Sequence, residues 1–547
     1  MTQSEALNIL KMGHNVFLTG AAGSGKTYVL NEYINYLKNK GVSMGITAST
    51  GIAATHMGGV TIHSWSGLGI RDTLSPSDLD DLEERQYLWN RFKEAEVLII
   101  DEVSMLHHFR LDLVEQIVRS FKRNNLPFGG MQIILCGDFF QLPPVSRAGE
   151  APARFSYHSQ IWNSIDLKVC YLEEQHRQSD MSYLQILNAI RDGEVNEEIF
   201  ERLQSRFNKN AESTIAPTRL YSHNVNVDAE NNRELEKLDG DTFEYLMTSR
   251  GAPGHIETLK KGCLAPEKLL LKKNARVMFV KNSFEGGFAN GTLGVVMDCS
   301  PHSITVKTAK GKIVEAARAS WKIEENGKIK AEITQYPLRL AWAITVHKSQ
   351  GMSLDSAEID LSRSFEKGMG YVALSRLRTL DGLKLIGINN MALQIDEEVA
   401  EFDRGFRQMS AKDASDLGKM SKLEILEAHR KYLEKVSGKK VKKLKKVSTS
   451  EETRKLLEEG KSLKEIAKAR GVKIETVIAH LEKLKETNFN PNLSNIKKGI
   501  SVSRFQKIKN ALLKSGMEGG VYRISPAKQI LGSDFSYEEI RLARLFL

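Results

Sequence analysis

The sequence predicts an α/β protein with two parallel-sheet domains, a small all-β insertion in the second domain and a helical C-terminal domain. Short apolar runs such as Val16–Leu18, Val97–Ile100 and Gln132–Leu135 are bounded by turn residues, as buried parallel strands are. Helical segments separate these runs, which favours α/β architecture. At about 100–200 residues per domain, 547 residues leave room for three to five domains.

The first α/β domain is predicted over residues 1–165 and the second over residues 166–410. Thr218–Tyr221 and Leu383–Ile386 carry the strand signals of the second domain. Within it, residues 274–335 change to β-type alternation, with a strong turn signal at Asn290-Gly291. This stretch therefore predicts the all-β insertion.

The C-terminal quarter has a different texture. Residues 411–448 contain a lysine-rich run and are predicted to be a basic linker, and residues 449–547 are predicted to be a helical domain. Ser462 and Glu465 have capping-box spacing, and Gly471 separates the first apolar stripe from a second at Val477, Ile478 and Leu481. The spacing suits a helix-turn-helix, and the alternative is a helical hairpin that binds no DNA.

Charge is distributed unevenly along the chain. The formal net charge is +10, with +14 in residues 411–547 and −4 in residues 1–410. A basic tail favours a polyanionic partner, most often nucleic acid, although it also suits a solvated tail. The sequence has no apolar run of membrane-spanning length, no signal-peptide pattern and no close cysteine pair, so we expect a cytoplasmic, nucleoid-associated protein with buried thiols.

A phosphate-binding loop follows the first predicted strand. Gly20, Ala21, Ala22, Gly23, Ser24, Gly25, Lys26 and Thr27 match the pattern G-x-x-x-x-G-K-[ST] between a strand and a helix. Backbone N–H groups of such a loop surround phosphate oxygens, and the helix N-terminus favours their negative charge. Lys26 is predicted to reach the β- and γ-phosphates, and Thr27 to ligate Mg²⁺.

Two later strand ends complete a predicted ATP site. Asp101 and Glu102 end an apolar strand, where Asp101 is placed to hold Mg²⁺ and Glu102 to activate the attacking water. Gln141, beyond the next strand, is a candidate γ-phosphate sensor; the spacing equally allows an ordinary loop residue.

Six ordered motifs resemble those of superfamily-one DNA helicases, and most closely the Pif-type (petite integration frequency) branch, which is related to RecD. They are the phosphate loop, 49–54 with 61–65, 101–105, 137–144, 345–351 and 371–376. The resemblance implies two RecA-like domains, and residues 274–335 resemble the SH3-like insertion of this branch. Residues 452–484 and 536–541 resemble the helix-turn-helix module at the end of some bacterial helicases.

The resemblance also implies residue roles. Gln3 would read adenine, and Arg177 and Arg376 would be arginine fingers from the second domain; His176 departs mildly from the family's usual Phe at that position. Single-stranded DNA would contact Thr50, His63, Trp65, Thr345, His347, Lys348 and Ser349. Without the motif, His63 and Trp65 suit core positions as well as DNA contacts.

These observations predict an ATP- and Mg²⁺-dependent DNA helicase that acts on single-stranded and forked DNA in repair, recombination or replication. The resemblance implies 5′-to-3′ movement, and we expect a monomeric motor with a DNA or protein partner for the C-terminal domain. The alternatives are a DNA-binding regulator and a P-loop ATPase that remodels proteins. Stimulation of ATP hydrolysis by single-stranded DNA distinguishes the helicase from both.

Overall fold

The computed structural model divides into two compact units, residues 1–440 and residues 441–547, which are described separately. It describes the chain except residues 70, 145–153, 176–177, 179, 212–214, 222–226, 284–287, 326–327, 439–448, 486–495, 497–499 and 519–520. Helices and strands are numbered here in chain order. Within the described residues, no helix has both the length and the apolar character needed to cross a membrane.

The first domain is a six-stranded parallel sheet of order β3-β2-β4-β5-β1-β6. Its strands are β1 (Asn15–Gly20), β2 (Met44–Ala48), β3 (Val60–Thr61), β4 (Val97–Asp101), β5 (Gln132–Cys136) and β6 (Leu167–Leu172). Its helices are α1 (Gln3–Lys11), α2 (Lys26–Asn39), α3 (Gly51–His56), α4 (Ile62–Ser66), α5 (Pro76–Glu83), α6 (Gln86–Glu94), α7 (His108–Lys122) and α8 (Gln160–Ser164). The central strands β4 and β5 are buried throughout, which explains their continuous apolar runs.

The second domain has a four-stranded parallel sheet of order β18-β7-β19-β20. Its elements are α9 (Met181–Asp192), α10 (Glu197–Gln204), β7 (Thr218–Tyr221), α11 (Val227–Glu236), β18 (Ala343–Thr345), β19 (Ala357–Leu361), α13 (Met369–Leu374) and β20 (Leu383–Ile388). The predicted strands at 218–221 and 383–386 are confirmed. Because β7 and β18 are neighbours in the sheet, the whole insertion between them lies outside the parallel sheet.

The insertion consists mostly of antiparallel strands with its own apolar core around Phe279, Val296 and Val306. Its elements are β8 (Phe243–Leu246), β9 (Thr248–Gly251), α12 (Pro253–Gly262), β10 (Lys268–Leu271), β11 (Arg276–Phe279), β12 (Leu293–Cys299), β13 (Ile304–Thr308), β14 (Ile313–Glu315), β15 (Ala319–Glu325), β16 (Lys328–Gln335) and β17 (Leu338–Leu340). Five strands form the sheet β14-β13-β12-β11-β17, and β15-β16-β9 and β10-β8 form two smaller ones. The insertion thus begins before residue 274. Strands β15 and β16 lie within the predicted 274–335 stretch but belong to a separate sheet with β9.

Asn290-Gly291 forms a turn, as predicted, but not a two-residue hairpin loop. It lies at the end of the connection between β11 and β12, and Gly291 has φ +96°. A Cβ at Gly291 would lie 2.4 Å from the carbonyl oxygen of Ser353. Glycine is therefore required here by backbone conformation and by close approach to the second domain.

Two further predicted boundaries differ from the structure. The first sheet continues past residue 165, because β6 pairs in parallel with β1 over residues 167–172. The stretch 411–438 is not a linker: it belongs to α14 (Glu397–Lys419) and α15 (Lys422–Ser437). Asp413 accepts hydrogen bonds from Lys168 Nζ at 3.0 Å and from Val169 N at 2.9 Å, so α14 caps the edge of the first sheet. The lysine run at 439–446 lies outside the described residues.

The C-terminal unit is a helical domain with its own core. Its elements are α16 (Thr449–Glu458), α17 (Leu463–Arg470), α18 (Ile474–Lys485), α19 (Val502–Lys514), β21 (Met517–Glu518), β22 (Val521–Tyr522), α20 (Ile524–Leu531) and α21 (Tyr537–Arg544). The capping box of Ser462 and Glu465 is present, and Gly471 ends α17 in the left-handed conformation. Val477, Ile478 and Leu481 are buried against it, as predicted.

Candidate functional site

The phosphate loop joins β1 to α2 at the centre of the first sheet. Gly20, Gly23 and Gly25 have φ of +140°, +90° and +89°, a region that favours glycine. A Cβ at Gly20 would lie 2.5 Å from the carbonyl oxygen of Leu172 on β6. Neighbouring strands thus enforce the glycine at the start of the loop.

Side chains around the loop are arranged for a polyanion. Lys26 Nζ donates to the carbonyl oxygens of Gly20 at 2.8 Å and Ala21 at 3.1 Å. The Ser24 hydroxyl is fully buried and has no hydrogen-bond partner among the described residues. Gln3, at the start of α1, donates from Nε2 to the carbonyl oxygen of Ser24 at 3.2 Å. The loop carbonyls therefore hold the Lys26 ammonium group beside the place where phosphates would bind.

Asp101 and Glu102 lie at the carboxyl end of β4, facing the same cleft. Asp101 is 8% exposed, and burial raises its pKa. Burial, and then the charge of Asp101, raise the pKa of Glu102 to about 7, while Lys26 opposes this rise. Glu102 has φ +51°, so its backbone leaves the extended strand conformation directly after β4. A carboxylate with a pKa near neutral suits a general base.

Gln350 is a site residue that the sequence prediction omitted, although it lies within the quoted motif 345–351. Its Nε2 donates to Glu102 Oε2 at 3.0 Å and approaches Gln141 Oε1 at 3.5 Å. Gln141 Nε2 in turn donates to Asp138 Oδ2 at 3.2 Å. The predicted base and the predicted γ-phosphate sensor are therefore linked by a side chain from the second domain.

Arg376 enters the cleft from the end of α13 and is 1% exposed. Its Nε donates to the carbonyl oxygen of Val372 at 2.9 Å and its Nη2 to Ser375 Oγ at 2.9 Å. Burial lowers the pKa of Arg376, and Glu102 opposes this. Arg177 lies outside the described residues, but its neighbour Gln178 donates from Nε2 to the carbonyl oxygen of Ser375 at 3.4 Å.

A cavity of 680 Å³ joins these groups, and both domains line it. The first domain contributes Lys26, Thr27, Asp101, Glu102 and Gln141, and the second contributes Gln350 and Arg376. Thr27 and Asp101 supply the hydroxyl and carboxylate oxygens that Mg²⁺ prefers, so the residues fit that ion. The arrangement has the elements of ATP hydrolysis: a phosphate cradle, a base and a positive charge for the transition state.

Three predicted DNA contacts also line this cavity. Thr50, His347 and Lys348 face it from the two α/β domains. Lys348 Nζ lies 3.8 Å from Asp228 Oδ2, in an exposed ion pair that leaves the cation accessible. Thr345 Oγ1 accepts from the N–H of Lys348 at 3.3 Å and so shapes this loop. These residues suit contacts to a phosphate backbone.

The remaining three predicted DNA contacts are placed differently. Trp65 is 4% exposed and packs edge-to-face on Phe92 with centroids 5.0 Å apart, so it is a core residue in this structure. Ser349 is fully buried and donates to the carbonyl oxygen of Val346 at 2.7 Å. In this structure neither side chain is accessible to DNA, so the geometry does not support a contact through Trp65 or Ser349.

His63 is partly buried beside Arg110, with Nε2 3.3 Å from Arg110 Nη1. Burial, and then the Arg110 charge, lower the pKa of His63 to about 4. His63 is therefore neutral at physiological pH.

Comparison with known proteins agrees with this geometry. Residues 3–200 match the PIF1-like helicase family and residues 449–544 match a helix-turn-helix domain family. A relative from Psychrobacter sp. (strain PRwf-1), named ATP-dependent DNA helicase Pif1, is 37% identical, with 100% of this chain and 97% of the relative covered. A relative of the same name from Bdellovibrio bacteriovorus is 38% identical over 74% of this chain and 91% of its own length.

Solved structures give the same result. Bacteroides sp Pif1 in complex with ADP-AlF4 has a TM-score of 0.65 at 29% identity, covering 74% of this chain and 96% of that one. Bacteroides Pif1 bound to ssDNA has a TM-score of 0.51 at 29% identity, over the same 74% and 96%. Because a relative is 37% identical over the whole of this chain and 97% of its own length, the chain belongs to the PIF1-like helicase family.

Proposed function

We propose that this DNA helicase uses ATP bound between its two α/β domains to move 5′-to-3′ along single-stranded DNA. The observation that supports it most directly is the shared cavity, which both domains line with predicted ATP-site residues and with the predicted DNA contacts Thr50, His347 and Lys348. Closing the domains on ATP would therefore also change the distance between Thr50 on one side and Lys348 on the other. The direction of movement rests on family membership.

In the proposed cycle, the phosphate loop binds the triphosphate, with Lys26 exchanging loop carbonyls for β- and γ-phosphate oxygens. Glu102 accepts a proton from the attacking water, and the hydrogen bond from Gln350 holds the Glu102 carboxylate in place. Arg376, and Arg177 as proposed, stabilise the charge that develops on the transferred phosphoryl group. Gln141 senses the γ-phosphate, and Gln3 reads the adenine.

Mg²⁺ would be held by Thr27 and Asp101, and when bound it supplies neutralising charge to the phosphates. Both residues line the same cavity as Lys26. We propose a monomeric motor, since one chain supplies both sides of the ATP site. A cytoplasmic location near the nucleoid and roles in repair, recombination or replication belong to the same proposal, as does the SH3-like character of the insertion.

Strand displacement on tailed duplexes tests activity and direction together. With ATP and Mg²⁺, we expect displacement from a duplex with a 5′ single-stranded tail and from a fork, and little from a duplex with only a 3′ tail. Blunt duplex and omission of ATP are the controls. Displacement of the 3′-tailed duplex alone would reject the proposed direction, and no ATP-dependent displacement of any substrate would reject the helicase proposal.

The C-terminal unit is proposed to bind DNA. Residues 441–547 carry 23 Lys+Arg and 12 Asp+Glu, a net charge of +11. Five lysines on α17, on α18 and in the turn between them are exposed. Lys485 donates to the carbonyl oxygen of Leu545, and the other four are Lys464, Lys468, Lys473 and Lys483. A basic face on a helix-turn-helix suits phosphate contacts, which position a protein on DNA.

Removing the C-terminal unit is expected to lower the affinity for DNA without abolishing ATP hydrolysis. A chain that ends at residue 440 should keep DNA-stimulated ATP hydrolysis but bind DNA more weakly. Its slope of log affinity against log salt should be shallower by about 0.7 for each phosphate of a single strand that the unit neutralises in the full chain. Fluorescence anisotropy at several salt concentrations measures both quantities.

The position of this cut matters, because ending the chain at residue 410 would divide α14 and remove Asp413 from its hydrogen bonds with β6. Replacing Lys464, Lys468, Lys473 and Lys483 by alanine in the full chain is the matched control. It should reproduce part of the decrease in salt dependence without shortening the chain. Equal affinity and equal salt slope in all three proteins would rule out a DNA-binding role for the unit.

A further inference from the structure

Arg191, on α9 of the second domain, is one of the most deeply buried charges in the described chain. It is 2% exposed, although arginine is rarely buried without a partner. Helix α9 packs on α13, where Tyr183 donates to the carbonyl oxygen of Leu374 at 2.7 Å. No role was predicted for Arg191 from the sequence, because its helix carries none of the six motifs.

The guanidinium contacts groups from both α/β domains and from α14. Nη1 donates to Asp138 Oδ1 at 2.7 Å and to the Tyr371 hydroxyl at 3.3 Å. Nη2 donates to the Tyr171 hydroxyl at 3.0 Å and to Asp403 Oδ1 at 3.3 Å. Burial opposes the charge of Asp138, yet Arg191 and Lys26 more than offset this, so the pKa of Asp138 is lowered. The pair is therefore ionised.

Two chains of hydrogen bonds lead from this guanidinium to the predicted nucleotide site. Along the first, Asp138 holds Gln141 through its second oxygen, Gln141 meets Gln350, and Gln350 donates to Glu102. Along the second, the Tyr371 hydroxyl accepts a hydrogen bond from the N–H of Ala22 in the phosphate loop at 3.1 Å. Arg191 is thus one bond from Asp138 on the sensor side and one bond from Tyr371 on the phosphate-loop side.

We propose that Arg191 is a positioning residue for ATP hydrolysis, which holds the Asp138–Gln141 loop and Tyr371 in register with the second domain. Through these two contacts Arg191 fixes the positions of Gln141 and of the phosphate loop relative to two residues of the second domain. These are Arg376, which follows α13, and Gln350 in the 345–351 motif. Closure of the domains on ATP then keeps Gln141, Gln350 and Arg376 in this arrangement. A purely structural ion pair would add only stability or fold specificity.

The test compares two buried arginines in the full-length protein. Arg206 is also 2% exposed, but it donates to carbonyl oxygens of Leu383 and Asp381, within the second domain and outside the cavity. Arg191→Lys and Arg206→Lys each shorten a buried arginine and disturb its planar contacts. Only Arg191→Lys is expected to lower kcat of DNA-stimulated ATP hydrolysis, by about tenfold or more, because a displacement near 1 Å is costly in a reacting site. KM for ATP should change less than about threefold, and base pairs opened per ATP should fall.

Tyr371→Phe provides a second variant should Arg191→Lys fail to fold. It keeps the ring and removes only the hydroxyl between Ala22 and Arg191. We expect the same loss of kcat with KM for ATP nearly unchanged. The inference is overturned when Arg191→Lys and Arg206→Lys have equal kcat, or when Tyr371→Phe matches the wild type. It rests on the proposed ATP-driven cycle, whose own failure would instead leave the wild-type protein without DNA-stimulated hydrolysis.

Discussion

Replacing Lys26 by alanine is expected to abolish ATP hydrolysis and strand separation. The ammonium group lies where β1 meets α2, held at 2.8 Å and 3.1 Å by two loop carbonyls that triphosphate oxygens would replace. Alanine leaves the loop backbone able to fold but removes this positive charge from the phosphates and from the transition state. Losing one preorganised donor at such a site costs on the order of 100- to 1000-fold in kcat. Phosphate release with single-stranded DNA, and displacement of a 5′-tailed duplex, measure the two losses.

Lys40→Ala is the matched control for that experiment. Lys40 follows the last residue of the same helix, α2, at the end opposite the phosphate loop, and is exposed. The Lys40→Ala protein should hydrolyse ATP and unwind duplex DNA at wild-type rates. A Lys26→Ala protein that unwinds as fast as the Lys40→Ala protein would refute the assignment of the ATP site.

Glu102→Gln is expected to trap the ATP-bound state. Glutamine keeps the size of the side chain but cannot accept a proton, so hydrolysis should slow by about 100- to 10,000-fold, the range attributed to a general base. Binding of ATP and of single-stranded DNA should stay near wild-type strength, because neither the phosphate loop nor Lys348 is altered. Single-turnover hydrolysis and anisotropy with a labelled oligonucleotide separate the two effects.

Glu96→Gln is the control for this substitution. Glu96 directly precedes β4, at the end of the strand opposite Glu102, and its carboxylate lies 3.8 Å from Lys122 outside the cleft. It should have no more than a small effect on turnover. Wild-type hydrolysis by Glu102→Gln would show that another group activates the water. Loss of ATP binding would show that Glu102 holds the nucleotide and is not only a base.

Local signals predicted much of the fold correctly. The strands around Val16, Val97 and Gln132 were readable because strands buried on both faces need continuous apolar runs. The capping box at Ser462 was readable because its two hydrogen bonds join residues three apart. The predicted domain boundary is wrong where a strand pairs with another that is distant in sequence, as β6 pairs with β1.

The same distinction applies to individual site residues. Trp65 and Ser349 belong to motifs whose neighbours face the cavity, and only packing shows that these two side chains point into the core. Gln350 lies 248 positions from its partner Glu102, and Arg191 lies 180 positions from Tyr371. Pairs so distant in sequence leave no periodic or spacing signal.

By itself, the sequence determined the phosphate loop, the acidic pair at the end of β4 and the order of the helicase motifs. Those features depend on backbone conformations and strand ends that a few adjacent residues impose. Only the tertiary structure decided which motif side chains reach the cleft, that α14 and α15 belong to the motor, and that Arg191 joins its two domains. Such contacts form when distant surfaces pack together, and burial then requires a partner for each polar group.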